Sequence, residues 1–245
     1  MKRHMMAVAL GLVISTPTLA QNQQGQNQQS EQECNIPANV LNNLQSKLGT
    51  VVHLADANGG LFKPNRMWSA VVDRQGVLCS VVRSDADAWP GSRSIAIAKA
   101  STANDFSNKD LALSTANLYS FTQPANAGPA PGGFPAGSLY GLNNSNPFNP
   151  EFQPQGTGGG VPGGIITFGG GVPLYFNKQV IGGLGVSGDT ACADHAIAYR
   201  MRHLAGLDGT PKPGQDNITY LAAGELPHDF GHPHCNTNTP GDITP

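Results

Sequence analysis

Residues 168–204, FGGGVPLYFNKQVIGGLGVSGDTACADHAIAYRMRHL, read as a β-hairpin running into a capped helix, and the rest of the chain is organised around them. Phe168–Phe176 and Gln179–Ser187 are runs of strand formers separated by Asn177-Lys178, a two-residue connection of the kind a tight hairpin uses. Gly169, Gly170, Gly171, Gly182, Gly183 and Gly185 weaken a strand and mark a place where another backbone, a helix or a flat ligand comes very close. In GVSGDT, Asp189 or Thr190 can accept the unpaired N–H groups of a helix start, and Gly206 can end that helix in a left-handed conformation. The spacing predicts a helix over 190–205. Its apolar stripe is Ala193, Ile197, Met201 and Leu204, which leaves His195 and Arg202 on the opposite, polar side.

Working outward, MWSAVVDRQGVLCSVV (67–82) reads as a first hairpin turning at Gln75-Gly76, and SRSIAIAKASTANDFS (92–107) as a helix after a Trp89-Pro90-Gly91 turn. Residues 37–57 read as another helix, with Val40, Leu41, Leu44, Leu48, Val51, Val52 and Ala55 on one side and Gly59-Gly60 as its stop. The pattern GG.PL....G..IGG.GVSGDT...DH.IA resembles the GlcG/HbpS family, also called the haem-degrading-domain family and related to the C-terminal domain of PduO-type proteins. The 67–82 hairpin is similar to that family's first hairpin. Lys99, Ala100, Thr102, Ala103 and Phe106 fall where its A..KA.TA..F helix has them. The resemblance runs over about residues 35–206. It implies an α/β (α+β), profilin-like domain, an antiparallel sheet of about five strands with helices packed on it, that binds haem or iron released from it.

At the amino end, Lys2, Arg3 and His4 precede an apolar run from Met5 to Ser15, and Thr18-Leu19-Ala20 offers small residues for a signal peptidase, so residues 1–20 are expected to be a signal peptide. Without Lys2 and Arg3 the 14 basic residues become 12 against 16 acidic ones, a net charge of −4 with neutral histidines. No basic stripe is present to neutralise phosphates, which excludes nucleic acid as a partner. An exported protein, periplasmic or secreted and without a membrane span once cleaved, is the expectation. Residues 21–33, QNQQGQNQQSEQE, form a Gln/Asn leader with too little apolar content to pack.

Residues 111–177 hold one charged residue, Glu151, among many Gly, Pro and Asn. Within them 138–142 and 164–168 are short strand-like runs, and 124–137 and 143–163 read as long insertions over the core, suited to an interface or a ligand cover. No repeat of period 20–50 appears, so a solenoid or propeller is not supported. The remainder, 207–245, is a Pro/Gly-rich extension beyond the family resemblance.

Four cysteines, Cys34, Cys79, Cys192 and Cys235, allow three pairings in an oxidising compartment. A Cys34–Cys235 bridge would tie both ends of the domain, with Cys79 and Cys192 either paired or buried as small apolar residues. No CxxC or CxxCH spacing exists, against covalent haem attachment and a thioredoxin-like site.

In the extension, LPHDFGHPHC crowds His228, His232, His234 and Cys235 into eight residues with Asp229 between them. These could hold zinc, copper or iron if the loop folds back on itself. A solvated tail fixed by a disulfide at Cys235 is the competing account. His195, beside Asp194, either lines a site or is a surface histidine. His53 and His203 stand near helix C-termini, where a protonated ring gains from the dipole.

Several enzyme signatures fail: Asp189 replaces the last glycine of GxSxG, prolines surround the GxGxxG formed by Gly158, Gly160 and Gly163, and HExxH is absent. Under the family resemblance the cofactor is haem, with His195 and the His228/His232/His234 group as ligand candidates and Lys99 or Arg202 placed for a propionate. A homo-oligomer is expected with it. The alternatives are a protein-interaction or sensory module without cofactor, built on 111–177, and an enzyme of unknown reaction using the glycine-rich hairpin and Asp194.

Overall fold

The computed structural model describes residues 33–124, 139, 142, 163–235 and 245. The expected signal peptide, nearly all of the Gln/Asn leader and of the 124–163 insertions, and most of the 138–142 run lie outside the described residues.

Helix α1 (Ala38–Val51) precedes a hairpin of β1 (Trp68–Asp73) and β2 (Leu78–Arg83), then α2 (Pro90–Asp105). Strands β3 (Gly171–Phe176) and β4 (Gln179–Ser187) form the second hairpin, followed by α3 (Ala191–Leu204) and two short strands, β5 (Thr219–Tyr220) and β6 (Gly231–His232). The main sheet has the order β2-β1-β4-β3, every neighbour antiparallel, while β5 and β6 pair in parallel apart from it. The antiparallel sheet with packed helices is as expected, with four strands in it among the described residues. Residues 164–168 carry no strand pairing.

Three layers result. Ala70 and Val72 of β1 cluster with Ala96, Ile97 and Ala100 of α2 on one face of the sheet. On the other, Val71, Val172, Leu174, Leu184 and Val186 pack against Leu44, Leu48 and Val51 of α1 and Ile197 and Met201 of α3. A sheet covered on both faces has no polar side, so β1 is buried from Ser69 to Asp73 rather than alternating. Asn177 and Lys178 both take positive φ, 49° and 62°, the geometry whose twist matches a tight hairpin.

The glycines meet helices. A Cβ at Gly183 would overlap the Ala100 carbonyl oxygen and one at Gly185 the Ala96 carbonyl oxygen, so α2 lies backbone to backbone on β4. Thr190 caps α3, its side chain accepting from the Ala193 N–H at 3.2 Å, a contact of about 1 kcal/mol.

The disulfides are Cys34–Cys79 and Cys192–Cys235, which corrects the bridge expected between Cys34 and Cys235. The chain before α1 lies at the β1–β2 turn, where the Asn35 N–H donates to Asp73 at 2.9 Å and brings Cys34 to β2. The extension instead returns to the first turn of α3. Each bridge spans a loop of 45 or 43 residues, for which loop entropy gives about 4 kcal/mol apiece.

Candidate functional site

The end of the sheet where β3 begins and β4 finishes gathers the charged residues of the family motif. Lys99 leaves the middle of α2 fully buried and donates to Asp194 Oδ2 at 2.7 Å and to the Val186 carbonyl at 3.1 Å, with the Phe168 ring 4.8 Å away. Asp194, 2% exposed, accepts on its other oxygen from the Asp189 N–H at 3.0 Å. Gly170, at φ +123°, leaves the space this pair needs, since a Cβ there would stand 2.6 Å from Lys99 Nζ and 2.9 Å from Asp194 Cβ. Burial drives the Asp194 carboxyl up to about 6 and the Lys99 ammonium down, and the pairing itself opposes both shifts.

Asp189 takes a different part. Its carboxylate accepts from the N–H groups of Leu61 and Phe62 at 2.8 and 3.1 Å and from Asn65 Nδ2 at 2.9 Å, pinning the 61–65 loop to the head of α3. That loop borders an open cleft of about 460 Å³ lined by Phe62, Lys63, Pro64, Arg66, Asp85 and Asp87, with Leu61 and Trp89 exposed nearby. Phe62 and Trp89 meet edge to face, their centroids 6.3 Å apart. A second, wholly apolar cavity of about 180 Å³ lies among Phe106, Leu111, Leu113, Leu118, Phe121, Leu139 and Phe230.

The outer face of α3 is not solvent-exposed, which corrects the expected polar side for His195 and Arg202: both are fully buried beneath the extension. Arg202 forks onto both oxygens of Asp216, donates to the Pro173 carbonyl at 3.0 Å and stacks over Tyr199 at 4.7 Å. With Lys99 committed to Asp194 and Arg202 to Asp216, neither cation expected for a propionate is available as placed. His195 packs on Tyr199, 5.8 Å between centroids, and neither ring nitrogen reaches a partner at full hydrogen-bond geometry, the Asn217 side chain being a marginal contact. Burial lowers its pKa to about 3, with Asp216 pulling the other way, so the ring is neutral at physiological pH. Leu204, by contrast, ends its predicted core stripe 51% exposed.

The three histidines of the extension go separate ways. His228 pairs with Glu225 at 2.7 Å on the surface, which raises its pKa, and His234 stacks on Tyr220 at 4.6 Å. His232 is buried, its Nε2 accepting from the Gly169 N–H at 3.2 Å and its Nδ1 2.7 Å from the Pro233 carbonyl. Among the described residues the groups close enough to share a metal ion are Cys192/His232/Cys235 and Cys34/Asp73/Cys79, and neither contains His228 or His234. His53 contacts the Gly49 carbonyl at 2.8 Å and His203 pairs with Asp208 at 2.6 Å, both exposed.

The sequence reading passed over the Lys99–Asp194 pair, Asp216 and the Phe62–Trp89 cleft. A signal for the first was visible: Lys99 is the one charge inside the small-residue run AIAKASTA. The burial of α3 was signalled by ACADHAIA, which carries alanine on two opposite sides of a helix.

Residues 61–202 match the family described as haem degrading protein HbpS-like. Among solved structures the chain is similar to Klebsiella pneumoniae protein ORFY, of the family DUF336, at 25% identity and TM-score 0.47, over 74% of this chain and 97% of that one. A PduOC–haem complex matches at 24% identity and TM-score 0.48, over 69% and 94%. A double mutant of Streptomyces reticuli HbpS matches at 18% identity and TM-score 0.41, over 81% and 98%. No curated protein matches the chain at a significant level.

Proposed function

Because this chain belongs to the HbpS-like haem degrading family, we propose that it is an exported haem-binding protein in which His195 is the axial ligand. The observation that carries this reading is the His195 ring itself, fully buried, neutral and with neither nitrogen at full hydrogen-bond geometry. A neutral imidazole is the form that ligates iron, and a buried polar group short of a full hydrogen bond asks for a partner. Bound haem would supply a redox-active iron; the chain's own part is to present that nitrogen in a dry setting.

The donor fits better than the space. Residues 207–235 cover the outer face of α3, held by Cys192–Cys235 and by Arg202–Asp216, so haem reaches His195 in this reading when that segment moves aside. Export is supported by the two disulfides, which persist in oxidising compartments. Among the described residues no helix is long and apolar enough to cross a membrane. A homo-oligomer remains part of the proposal.

Haemin titration followed by the Soret band tests it, with His195→Ala and a chain ending at Glu225 alongside. The expected result is saturable binding by the native protein, loss in His195→Ala, and equal or faster binding in the truncated chain. Native-strength binding by His195→Ala would overturn the assignment of the ligand. No saturable binding by any form would overturn the haem reading.

A second reading rests on the Leu61, Phe62 and Trp89 side chains, 66%, 37% and 59% exposed around the 460 Å³ cleft. Such a patch suits a non-enzymatic interaction module. Phe62→Ser/Trp89→Ser would then change the oligomeric state by light scattering without affecting haemin binding.

A further inference from the structure

Three donor groups at the junction of α3 and the extension are left unused by the haem reading. Cys192 Sγ, Cys235 Sγ and a ring nitrogen of His232 lie within 4.8 Å of one another, with Cys192 and His232 buried. Cys192 stands in the first turn of α3, where the helix dipole favours a thiolate, and its N–H donates to Cys235 Sγ at 3.1 Å. His232 Nδ1 is 4.0 Å from Cys192 Sγ.

We propose that Cys192, Cys235 and His232 form a binding site for a thiophilic metal ion, Zn²⁺ above all, when the Cys192–Cys235 disulfide is reduced. Two thiolates and one neutral imidazole are three of the donors of a tetrahedral zinc site, the fourth position being taken by water, and they are unsuited to Mg²⁺ or Ca²⁺. In the oxidised protein the sulfurs are spent on each other and the site takes no ion. A dithiol reductant opens it by two thiol–disulfide exchanges, leaving Cys192 and Cys235 as thiols and the reductant as its own cyclic disulfide. The incoming M²⁺ displaces the two thiol protons to solvent. Ligation through His232 Nδ1 passes the ring proton to Nε2 and gives up both the bond from the Gly169 N–H and the Nδ1 bond to the Pro233 carbonyl.

The extension is then held to α3 in two interchangeable ways, by a covalent bond under oxidising conditions and by a metal ion under reducing ones. This inference does not rest on the haem reading, because it is read without haem. Its test is Co²⁺ titration of the full chain, reduced with dithiothreitol and freed of reductant under anaerobic conditions. The expected result is a thiolate-to-cobalt charge-transfer band and tetrahedral d–d bands that saturate at one equivalent and are displaced by Zn²⁺. The oxidised protein should show neither.

Because Cys34 and Cys79 are also released on reduction, two paired variants locate the site. Cys34→Ser/Cys79→Ser is expected to keep the band and Cys192→Ser/Cys235→Ser to lose it. His232→Gln, with both cysteines retained, should weaken Co²⁺ binding by about tenfold or more. Persistence of the band in Cys192→Ser/Cys235→Ser overturns the proposal, as does its absence from reduced protein that keeps its native circular dichroism. Loss of the native circular dichroism on reduction that Co²⁺ fails to restore overturns it as well.

Discussion

Two buried ion pairs flank α3, and they do different work. Lys99–Asp194 joins two helices on either side of the sheet's end, with each partner inside the segment that matches the family. Arg202–Asp216 joins the last turn of α3 to the extension, which lies outside that segment. The first is fixed on every side by regular structure: α2, β4 and the head of α3. The second has regular structure on one side and a loop on the other. Charge burial of equal degree therefore has unequal consequences, because an unpaired ion hurts only as much as its surroundings prevent water from reaching it.

Removing one partner from each pair measures that inequality. Lys99→Met leaves the Asp194 carboxylate buried and unpaired, and is expected to destabilise the fold by about 3–5 kcal/mol in urea unfolding at pH 7. Adding Asp194→Leu should recover much of the loss. Asp216→Ala leaves Arg202 without its partner, but the extension can lift and admit water, so about 2–3 kcal/mol is expected. Hydrogen exchange should then show loss of protection confined to 207–235. Global exchange in Asp216→Ala, or local exchange in Lys99→Met, would break the comparison.

The pH dependence sharpens it. His195, held down at about 3, resists a proton that the unfolded chain accepts below 6.5, so its share of stability is present above pH 6.5 and lost as pH falls toward 3. Asp194, held up at about 6, runs in the opposite sense: its folded form keeps a proton that the unfolded chain gives up above 3.8, so stability is lost as pH rises from 3.8 to 6. Between pH 4 and 6 the two offset each other. His195→Asn removes one side of that balance, and relative to the native protein its stability should fall by about 1.4 kcal/mol per pH unit as pH rises through this window. Thermal unfolding at pH 4, 5 and 6 reads the slope, and parallel curves for the two proteins would show that His195 does not titrate as its burial requires.

A third pair gives the lower bound. Arg200–Asp56, at 2.8 Å with 23% and 44% of its side chains exposed, sits where water already screens it. Arg200→Ala is expected to cost less than about 1 kcal/mol. A loss comparable to that of Lys99→Met would mean that exposure is not what separates these pairs.

The same division between local and distant causes decides what could be read in the sequence. The second hairpin, its Asn177-Lys178 turn, the Thr190 cap and the extent of α3 depend on neighbours a few residues away, and the sequence reading has them within one or two residues, apart from the first three residues assigned to β3. Helix α2 and the first hairpin follow for the same reason. The glycines declared a close approach, and the partners are the backbones of α2 and α3 at Gly169, Gly171, Gly183 and Gly185, and of the neighbouring strands at Gly170 and Gly182. What depends on chain more than a hundred residues away, or on the extension, was not readable. His195 and Arg202 look polar on a helical wheel until residues 207–235 are laid over them, and the disulfide pairing follows from where each end of the domain is led back. Asp189 had two available roles, cap or anchor, and only the position of the 61–65 loop chooses between them.

The bare contact of α2 with β4 makes this chain's glycines unequal under mutation. At Gly183 and Gly185 even one methyl group meets a carbonyl oxygen of the facing helix, so every substitution there is a loss and alanine gives no reprieve. Gly49 and Gly91, inside α1 and α2, face open space, and alanine there should add roughly 0.5–1 kcal/mol of helix stability. A tolerance map of the domain would thus carry two opposite signs at the same residue type, and a drift toward larger side chains could thicken its helices while the seam between α2 and β4 stays closed to it.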